Sequence, residues 1–143
     1  MAGIYIHIPF CKQACSYCDF HFSTKLNNKQ KVLNGIEKEL ELRVAYIGEE
    51  IVETIYLGGG TPSLLSETEI QSLLTKTNSL FDVSSDAEIT LEANPDDLTL
   101  DKLKELKNTS INRLSIGVQS FFEKDLRFMN RAHNSSEALD CIK

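Results

Sequence analysis

The sequence of 143 residues lacks several features that mark particular classes of protein. It has no stretch approaching the roughly 20 consecutive apolar residues that a membrane helix requires. Its 15 lysines and arginines form no block and are outnumbered by 21 acidic residues, which gives a net charge of −6. Nucleic acids and anionic membranes bind clustered positive charge, so we expect no nucleic-acid partner and no broad membrane-binding surface.

The amino-acid sequence also shows no targeting signal and no linker. The apolar run at residues 4–10 is interrupted by His7 and is not preceded by basic residues, unlike a secretory leader. The hydrophobic fraction of 41% can bury a core, so we expect one domain over residues 1–143. We also expect the protein to be cytoplasmic. Residues 138–143 resemble a helix that has barely begun, and we therefore expect an incomplete domain from a longer protein.

Strand and helix patterns alternate along the chain. β-rich segments predict strands at residues 4–8, 51–57, 88–92 and 113–118. Apolar periodicity and capping signals predict helices at residues 28–47, 66–80, 99–107 and 121–130, and another that starts near residue 135. This order predicts an α/β fold with a parallel sheet of alternating βα units, either an open sheet or part of a barrel.

The unusual residues follow the ends of the predicted strands. Three cysteines come after the first strand, and a Gly-Gly-Gly-Thr-Pro run comes after the second. Glu92 ends the third strand, and Gln119 lies just past the fourth. Because the carboxyl ends of parallel strands meet at one edge and carry the site in such folds, we expect these residues to lie together.

The cysteines Cys11, Cys15 and Cys18 have the spacing Cys-x-x-x-Cys-x-x-Cys. Thiolates suit iron–sulfur clusters, zinc or copper(I). A four-iron cluster takes one cysteine per iron, so three cysteines leave one iron open to a chelate such as the amino and carboxylate groups of a methionine moiety. The alternative is zinc with His21 or His7 as a fourth ligand, although the paired Cys-x-x-Cys spacing of structural zinc sites is absent.

Each remaining candidate also has an ordinary interpretation. The glycine run at residues 58–60 either lets a ligand approach the backbone or forms a tight turn. Glu92 either accepts hydrogen bonds from ribose hydroxyls or is a solvated glutamate on a polar strand face. Taken alone, Gln119 is a loop residue, Arg131 a surface cation, and His133 a surface or capping histidine.

Together the motifs resemble the radical S-adenosylmethionine (SAM) superfamily and, more closely, its oxygen-independent coproporphyrinogen III oxidase family. The resemblance is carried by Tyr-Ile-His-Ile-Pro-Phe-Cys at 5–11, Gly-Gly-Gly-Thr-Pro at 58–62, Glu-Ala-Asn-Pro at 92–95 and Arg-Leu-Ser-Ile-Gly-Val-Gln-Ser at 113–120. It implies a partial (β/α)6 barrel, of which residues 1–143 would supply the N-terminal part.

The resemblance also implies cofactors and roles. Cys11, Cys15 and Cys18 would hold a [4Fe-4S] cluster. SAM would be contacted by Tyr5, Tyr17, Gly59, Gly60, Thr61, Glu92, Gln119 and Arg131. In this superfamily the reduced cluster gives one electron to SAM, whose sulfonium C–S bond breaks to form a 5′-deoxyadenosyl radical. An electron donor is therefore an implied partner.

Within the family, the sequence resembles the haem chaperones more than the dehydrogenases. The dehydrogenases carry a further cysteine two residues after the third, where this sequence has Phe20, and a longer segment before the first strand. The Arg-Ala-His-Asn run at residues 131–134 also matches the chaperones. The implied partners are haem and an unknown haem acceptor, through which any membrane contact would be made. The alternative is oxidative decarboxylation of coproporphyrinogen III to protoporphyrinogen IX.

Overall fold

The computed structural model describes residues 2–143. Its four strands are β1 (Ala2–Ile8), β2 (Val52–Gly59), β3 (Val83–Ala93) and β4 (Arg113–Ile116). Its helices are α1 (Lys29–Ile47), α2 (Glu67–Leu80), α3 (Leu100–Lys107), α4 (Glu123–Phe128) and α5 (Ser135–Asp140), with 3-10 turns at Pro62–Leu64 and Pro95–Asp97. The strands pair in parallel in the order β1-β2-β3-β4, which confirms the predicted α/β fold.

Two predicted elements end earlier than expected, for a backbone reason. β4 stops at Ile116 instead of residue 118, because the chain turns there: Val118 N donates to Ile116 O at 3.0 Å, and Gln119 then adopts a left-handed φ of 64°. α4 stops at Phe128 instead of residue 130, and Asn130 has a φ of 53°. A residue in that conformation cannot continue a strand or a right-handed helix. Both terminations lie beside the site described below.

One face of the sheet is apolar and packs beneath the helices. Ile4, Ile55, Ile89, Ile6, Leu57 and Leu91 stand in register across β1, β2 and β3 and are buried. Helix residues from α1 to α3 complete this core, including Leu33, Ile70, Leu73, Leu74 and Leu106. Alternation along the strands therefore sends the other set of side chains to the opposite, concave face.

The concave face is polar. Tyr5, Tyr56, Thr90 and Arg113 form one row across the four strands. Thr90 is buried, and its hydroxyl accepts a hydrogen bond from Arg113 Nη1 at 3.2 Å.

The helical layer confirms the predicted capping signal. Ser66 and Glu69 form a capping box at the start of α2. Lys76 of α2 binds Glu41 of α1, and Glu41 also accepts from Lys38. These hydrogen bonds, first that from Lys38, lower the pKa of Glu41 to about 2. In the described part of the chain, no helix is both long and apolar enough to cross a membrane.

Candidate functional site

A cleft of about 340 Å³ opens at the carboxyl ends of the strands. Ten of the eleven predicted site residues line it: Cys11, Cys15, Tyr17, Cys18, Gly59, Gly60, Thr61, Glu92, Gln119 and Arg131. The structure therefore brings together candidates from four segments separated by up to 120 residues of sequence. The expectation that the strand ends converge on one site is confirmed in its geometry.

The three cysteines lie in the loop after β1, which we call the cysteine loop (residues 11–18). All three thiols are partly exposed and free of disulfides. Burial raises the pKa of the Cys11 thiol, and the neighbouring Cys18 and Cys15 add to that rise. A hydrogen bond with Thr61 and the charge of Arg131 act in the opposite direction.

The histidines named for a zinc site lie elsewhere. His7 Nδ1 is 3.0 Å from the Tyr5 hydroxyl, and its Nε2 is 3.3 Å from the carbonyl oxygen of His21. Neither His7 nor His21 lines the cleft. Within residues 2–143, no three His, Cys, Asp or Glu side chains are grouped so that they could hold a metal ion as they stand.

The glycine turn (residues 58–61) forms the second wall. Gly60 N donates to Ile8 O at 2.9 Å, and Thr61 N donates to Phe10 O at 2.6 Å. A Cβ on Gly60 would lie 2.6 Å from Phe10 O, and one on Gly59 would lie 2.4 Å from the His7 ring. The tight turn is therefore real, because side chains here would push the turn off β1.

Glu92 is not the solvated glutamate of the ordinary interpretation. It ends a strand with neighbours on both sides, and its carboxylate accepts from Tyr56 Oη at 2.8 Å and from Gly59 N at 2.9 Å. These bonds join β3 to the glycine turn. Each carboxylate oxygen keeps a second lone pair, so Glu92 can still accept hydrogen bonds from a ligand.

Tyr5 is the predicted residue that does not line the cleft. Its ring is 57% exposed on the concave face and stacks on Tyr56 with centroids 6.0 Å apart. Burial of part of the ring, followed by the negative charge of Glu92, raises the pKa of the Tyr5 phenol. Tyr5 therefore borders the Glu92 side of the site from β1.

Arg131 is not a free surface cation. Its guanidinium donates to Cys15 Sγ at 3.3 Å, Tyr17 Oη at 3.2 Å, Asn94 Oδ1 at 2.8 Å and Gly117 O at 2.8 Å. These acceptors belong to the cysteine loop, the end of β3 and the end of β4. A planar group with five donors suits such bridging. Asn94 was not among the predicted site residues, although the Glu-Ala-Asn-Pro motif contained it.

His133 is buried, with 3% of its surface exposed, so the surface or capping interpretation is wrong. Its Nε2 lies 3.0 Å from Val118 O, which can only accept, so this nitrogen carries the proton. Nδ1 is buried and has no hydrogen-bond partner among the described residues. Burial lowers the pKa of the imidazole, so it stays neutral and anchors the turn that carries Gln119.

Comparison with known proteins agrees with this architecture. The sequence profile of the radical SAM superfamily matches residues 5–143. This chain belongs to the radical SAM superfamily. The chain is 42% identical to the haem chaperone HemW of Bacillus subtilis strain 168 over 139 residues, which are 96% of this chain and 37% of that protein. It is also 42% identical to HemW of Escherichia coli K12 over 148 aligned residues, covering 99% of this chain and 38% of that protein.

The solved structure of Escherichia coli coproporphyrinogen III oxidase (HemN), a radical SAM enzyme, superposes on 98% of this radical SAM chain with a TM-score of 0.87 at 30% identity. The superposition covers 33% of HemN. The predicted radical SAM fold, as part of a barrel, is thereby confirmed. The chain spans 37% and 38% of the two HemW relatives, so the activity of a whole protein is a matter for proposal.

Proposed function

We propose that Cys11, Cys15 and Cys18 hold a [4Fe-4S] cluster and that SAM binds beside it in the cleft. The SAM contacts in this proposal are Tyr5, Tyr17, Gly59, Gly60, Thr61, Glu92, Gln119 and Arg131. The observation that supports it is the gathering of three free thiols with exposed backbone, a carboxylate and a guanidinium around one cleft. Soft thiolates suit iron, and the polar groups suit an amino acid and a ribose.

Three groups of the chain would have separate roles. Arg131 Nη1, which donates to Cys15 Sγ, would stabilise the negative charge of a thiolate ligand. Glu92, oriented by Tyr56 and Gly59, would accept from ribose hydroxyls through its remaining lone pairs. Gly59 and Gly60 line the cleft without side chains, which would allow SAM to approach their backbone.

Cys11, Cys15 and Cys18 would hold the cluster, and the chemistry that it would supply is one-electron reduction of SAM with electrons from an external donor. The chain itself supplies position and shelter from water. We propose residues 1–143 as an incomplete radical SAM core domain of a cytoplasmic protein, with no nucleic-acid partner and with any peripheral membrane contact made through a haem acceptor.

We further propose that the whole protein is a haem chaperone that binds haem and delivers it to an acceptor. Support comes from two HemW relatives at 42% identity, against 30% for HemN. Phe20, where the dehydrogenases carry a further cysteine, also favours this function. Coproporphyrinogen III dehydrogenase is the competing function.

A ligand substitution tests the cluster. In full-length protein reconstituted anaerobically, Cys15→Ala should abolish the visible absorption of the cluster and its response to SAM. Cys141→Ala is the matched control, because Cys141 packs against the core and its thiol donates to Ala138 O at 3.3 Å. Iron and sulfide contents unaltered by Cys15→Ala, or zinc in the purified protein, would contradict the ligand assignment.

A two-arm assay tests the function. The same preparation is titrated with haem and is incubated with coproporphyrinogen III, SAM and a reductant. We expect stoichiometric haem binding and no protoporphyrinogen. Efficient conversion to protoporphyrinogen IX would replace the chaperone function by the dehydrogenase function.

A further inference from the structure

One short segment, residues 128–131, makes several hydrogen bonds to the cysteine loop, in addition to the pair of Lys12 with Asp96, and we call this segment the tether. Ser16 N donates to Met129 O at 3.0 Å, and Ser16 Oγ donates to Phe128 O at 3.1 Å. Arg131 reaches Cys15 and Tyr17, as described above. The loop supplies few backbone bonds of its own, such as Cys18 N to Cys15 O at 3.2 Å.

Asn130 is the centre of the tether. Its Nδ2 donates to Ala14 O at 2.7 Å, while its Oδ1 accepts from Gln13 Nε2 at 2.7 Å. Gln13 Nε2 also lies 3.0 Å from Asn130 O. The side chain of Asn130 thereby pairs with the carbonyl of Ala14 and with the side-chain amide of Gln13, two residues between Cys11 and Cys15. None of these contacts involves a group that binds SAM in the proposed function.

The backbone of Asn130 is suited to this position. Its φ of 53° is left-handed, a conformation that asparagine and glycine tolerate better than other residues. The conformation ends α4 and turns the asparagine side chain toward the loop. The helix is anchored by Leu126, which is 1% exposed, and Arg131 N donates to Leu126 O at 2.9 Å. The tether therefore connects a buried anchor to an exposed loop.

We propose that Asn130 is a positioning residue for the cluster ligands. It acts through Gln13 and Ala14 and restricts the backbone of the cysteine loop, although the three thiols must still move together when a cluster binds. A loop restricted in advance loses less conformational entropy on binding, so a tethered loop retains a cluster longer than a free one. This inference rests on the proposed function, in that the ligands held are Cys11, Cys15 and Cys18.

The test uses Asn130→Gly, which keeps the left-handed backbone accessible and removes only the amide. The matched control is Asn108→Gly, because Asn108 is an exposed asparagine at the C-terminal end of α3. Both variants are made in the full-length protein. The measurements are the rate at which a chelator bleaches the reconstituted cluster, and hydrogen exchange of amides 14–17 in the metal-free protein.

Losing two hydrogen bonds predicts cluster loss about tenfold faster in Asn130→Gly than in wild type, and a comparable acceleration of exchange in the loop. The thermal midpoint of the metal-free variant should match the control, which separates positioning from a general loss of stability. Asn130→Asp, which keeps the acceptor for Gln13, should recover part of the cluster lifetime. If Asn130→Gly behaves like Asn108→Gly in both measurements, the proposal is overturned.

The two proposals fail in different ways. A wild-type protein that takes up no cluster contradicts the proposed function, while the exchange measurement on metal-free protein still tests the tether. A wild-type protein that holds its cluster no longer than Asn130→Gly contradicts the tether alone.

Discussion

The two walls of the cleft, the glycine turn and the cysteine loop, are held in different ways. The glycine turn continues β2 and is bound by main-chain hydrogen bonds to Ile8 and Phe10, with Thr61 only 4% exposed. The cysteine loop is held by side chains from segments more than 80 residues away, such as Asp96 and Asn130. One wall is thus part of the sheet, and the other depends on contacts that any of several single substitutions can remove.

The two walls should therefore respond differently to substitution. A side chain at Gly60 should strain the fold itself, because the atoms it would meet belong to the backbone of residues 8–10 and cannot yield. Substitutions in the contacts of the cysteine loop should chiefly affect how long ligands are retained.

Gly60→Ala should give the largest loss of stability. The added Cβ would lie 2.6 Å from Phe10 O and 2.8 Å from Ile8 O, and both are backbone atoms of β1 and its extension. Overpacking of this kind should lower the free energy of unfolding by about 3 kcal/mol. The measurement is urea denaturation of the metal-free protein.

Gly35→Ala is the control for that substitution. Gly35 lies within α1 and a Cβ there would meet nothing within 4 Å, so alanine should raise stability by about 0.5 to 1 kcal/mol through helix propensity. If both alanine variants changed the free energy of unfolding equally, the glycine turn would be no more constrained than an ordinary helix glycine.

Lys12→Met tests a point where the cysteine loop joins the fold. Lys12 pairs with Asp96 at 2.8 Å and with Asp97, whose side chains are 13% and 6% exposed. Removing the cation leaves two nearly buried carboxylates together, which should cost about 2 kcal/mol after allowance for the exposure of the lysine. Denaturation is compared with Lys104→Met, whose pair with Asp101 is exposed on both sides. A cost no larger than in that control would mean that the loop is not anchored here.

Glu92→Gln tests the role of the Glu92 carboxylate, which lies between the two walls of the cleft. An amide can accept from Tyr56 or from Gly59 N, but its own NH2 then faces the other donor. We expect a loss of about 1 kcal/mol in the free energy of unfolding. Adding Tyr56→Phe should restore part of it by removing one donor. Simple additivity of the two substitutions would show that the residues are not coupled.

The smallest expected effect is a dependence of stability on pH through His133. Burial lowers the pKa of this imidazole below its ordinary value of 6.5, and the hydrogen bond to Val118 offsets only part of that shift. The unfolded chain therefore binds the proton more readily. The contribution is fully present above pH 6.5 and is lost as the pH falls through the lower folded-state pKa.

The control for this dependence is His133→Gln, whose Nε2 can still donate to Val118 but does not titrate. Between about pH 7.5 and about pH 5.5, the wild type should lose more free energy of unfolding than this variant. Parallel pH profiles would show that His133 is protonated equally in both states.

Much of the architecture was predictable from local patterns. The order of strands and helices, the capping box at Ser66 and the convergence of strand ends follow from periodicity and from the geometry of parallel sheets. The lining of the cleft by Gly59, Glu92 and Arg131 follows from the motifs. Burial of His133, the role of Asn94 and the tether at Asn130 were not predictable, because their partners lie on other segments.

Short-range periodicity and motif spacing are enough to predict the parallel α/β fold, the family and the residues that border the cleft. Three features are visible only in the folded chain: Glu92 links two strands, Tyr5 stands outside the cleft lining, and residues 128–131 bind the cysteine loop. Such contacts depend on directions and distances between side chains far apart in the chain, which no local pattern records.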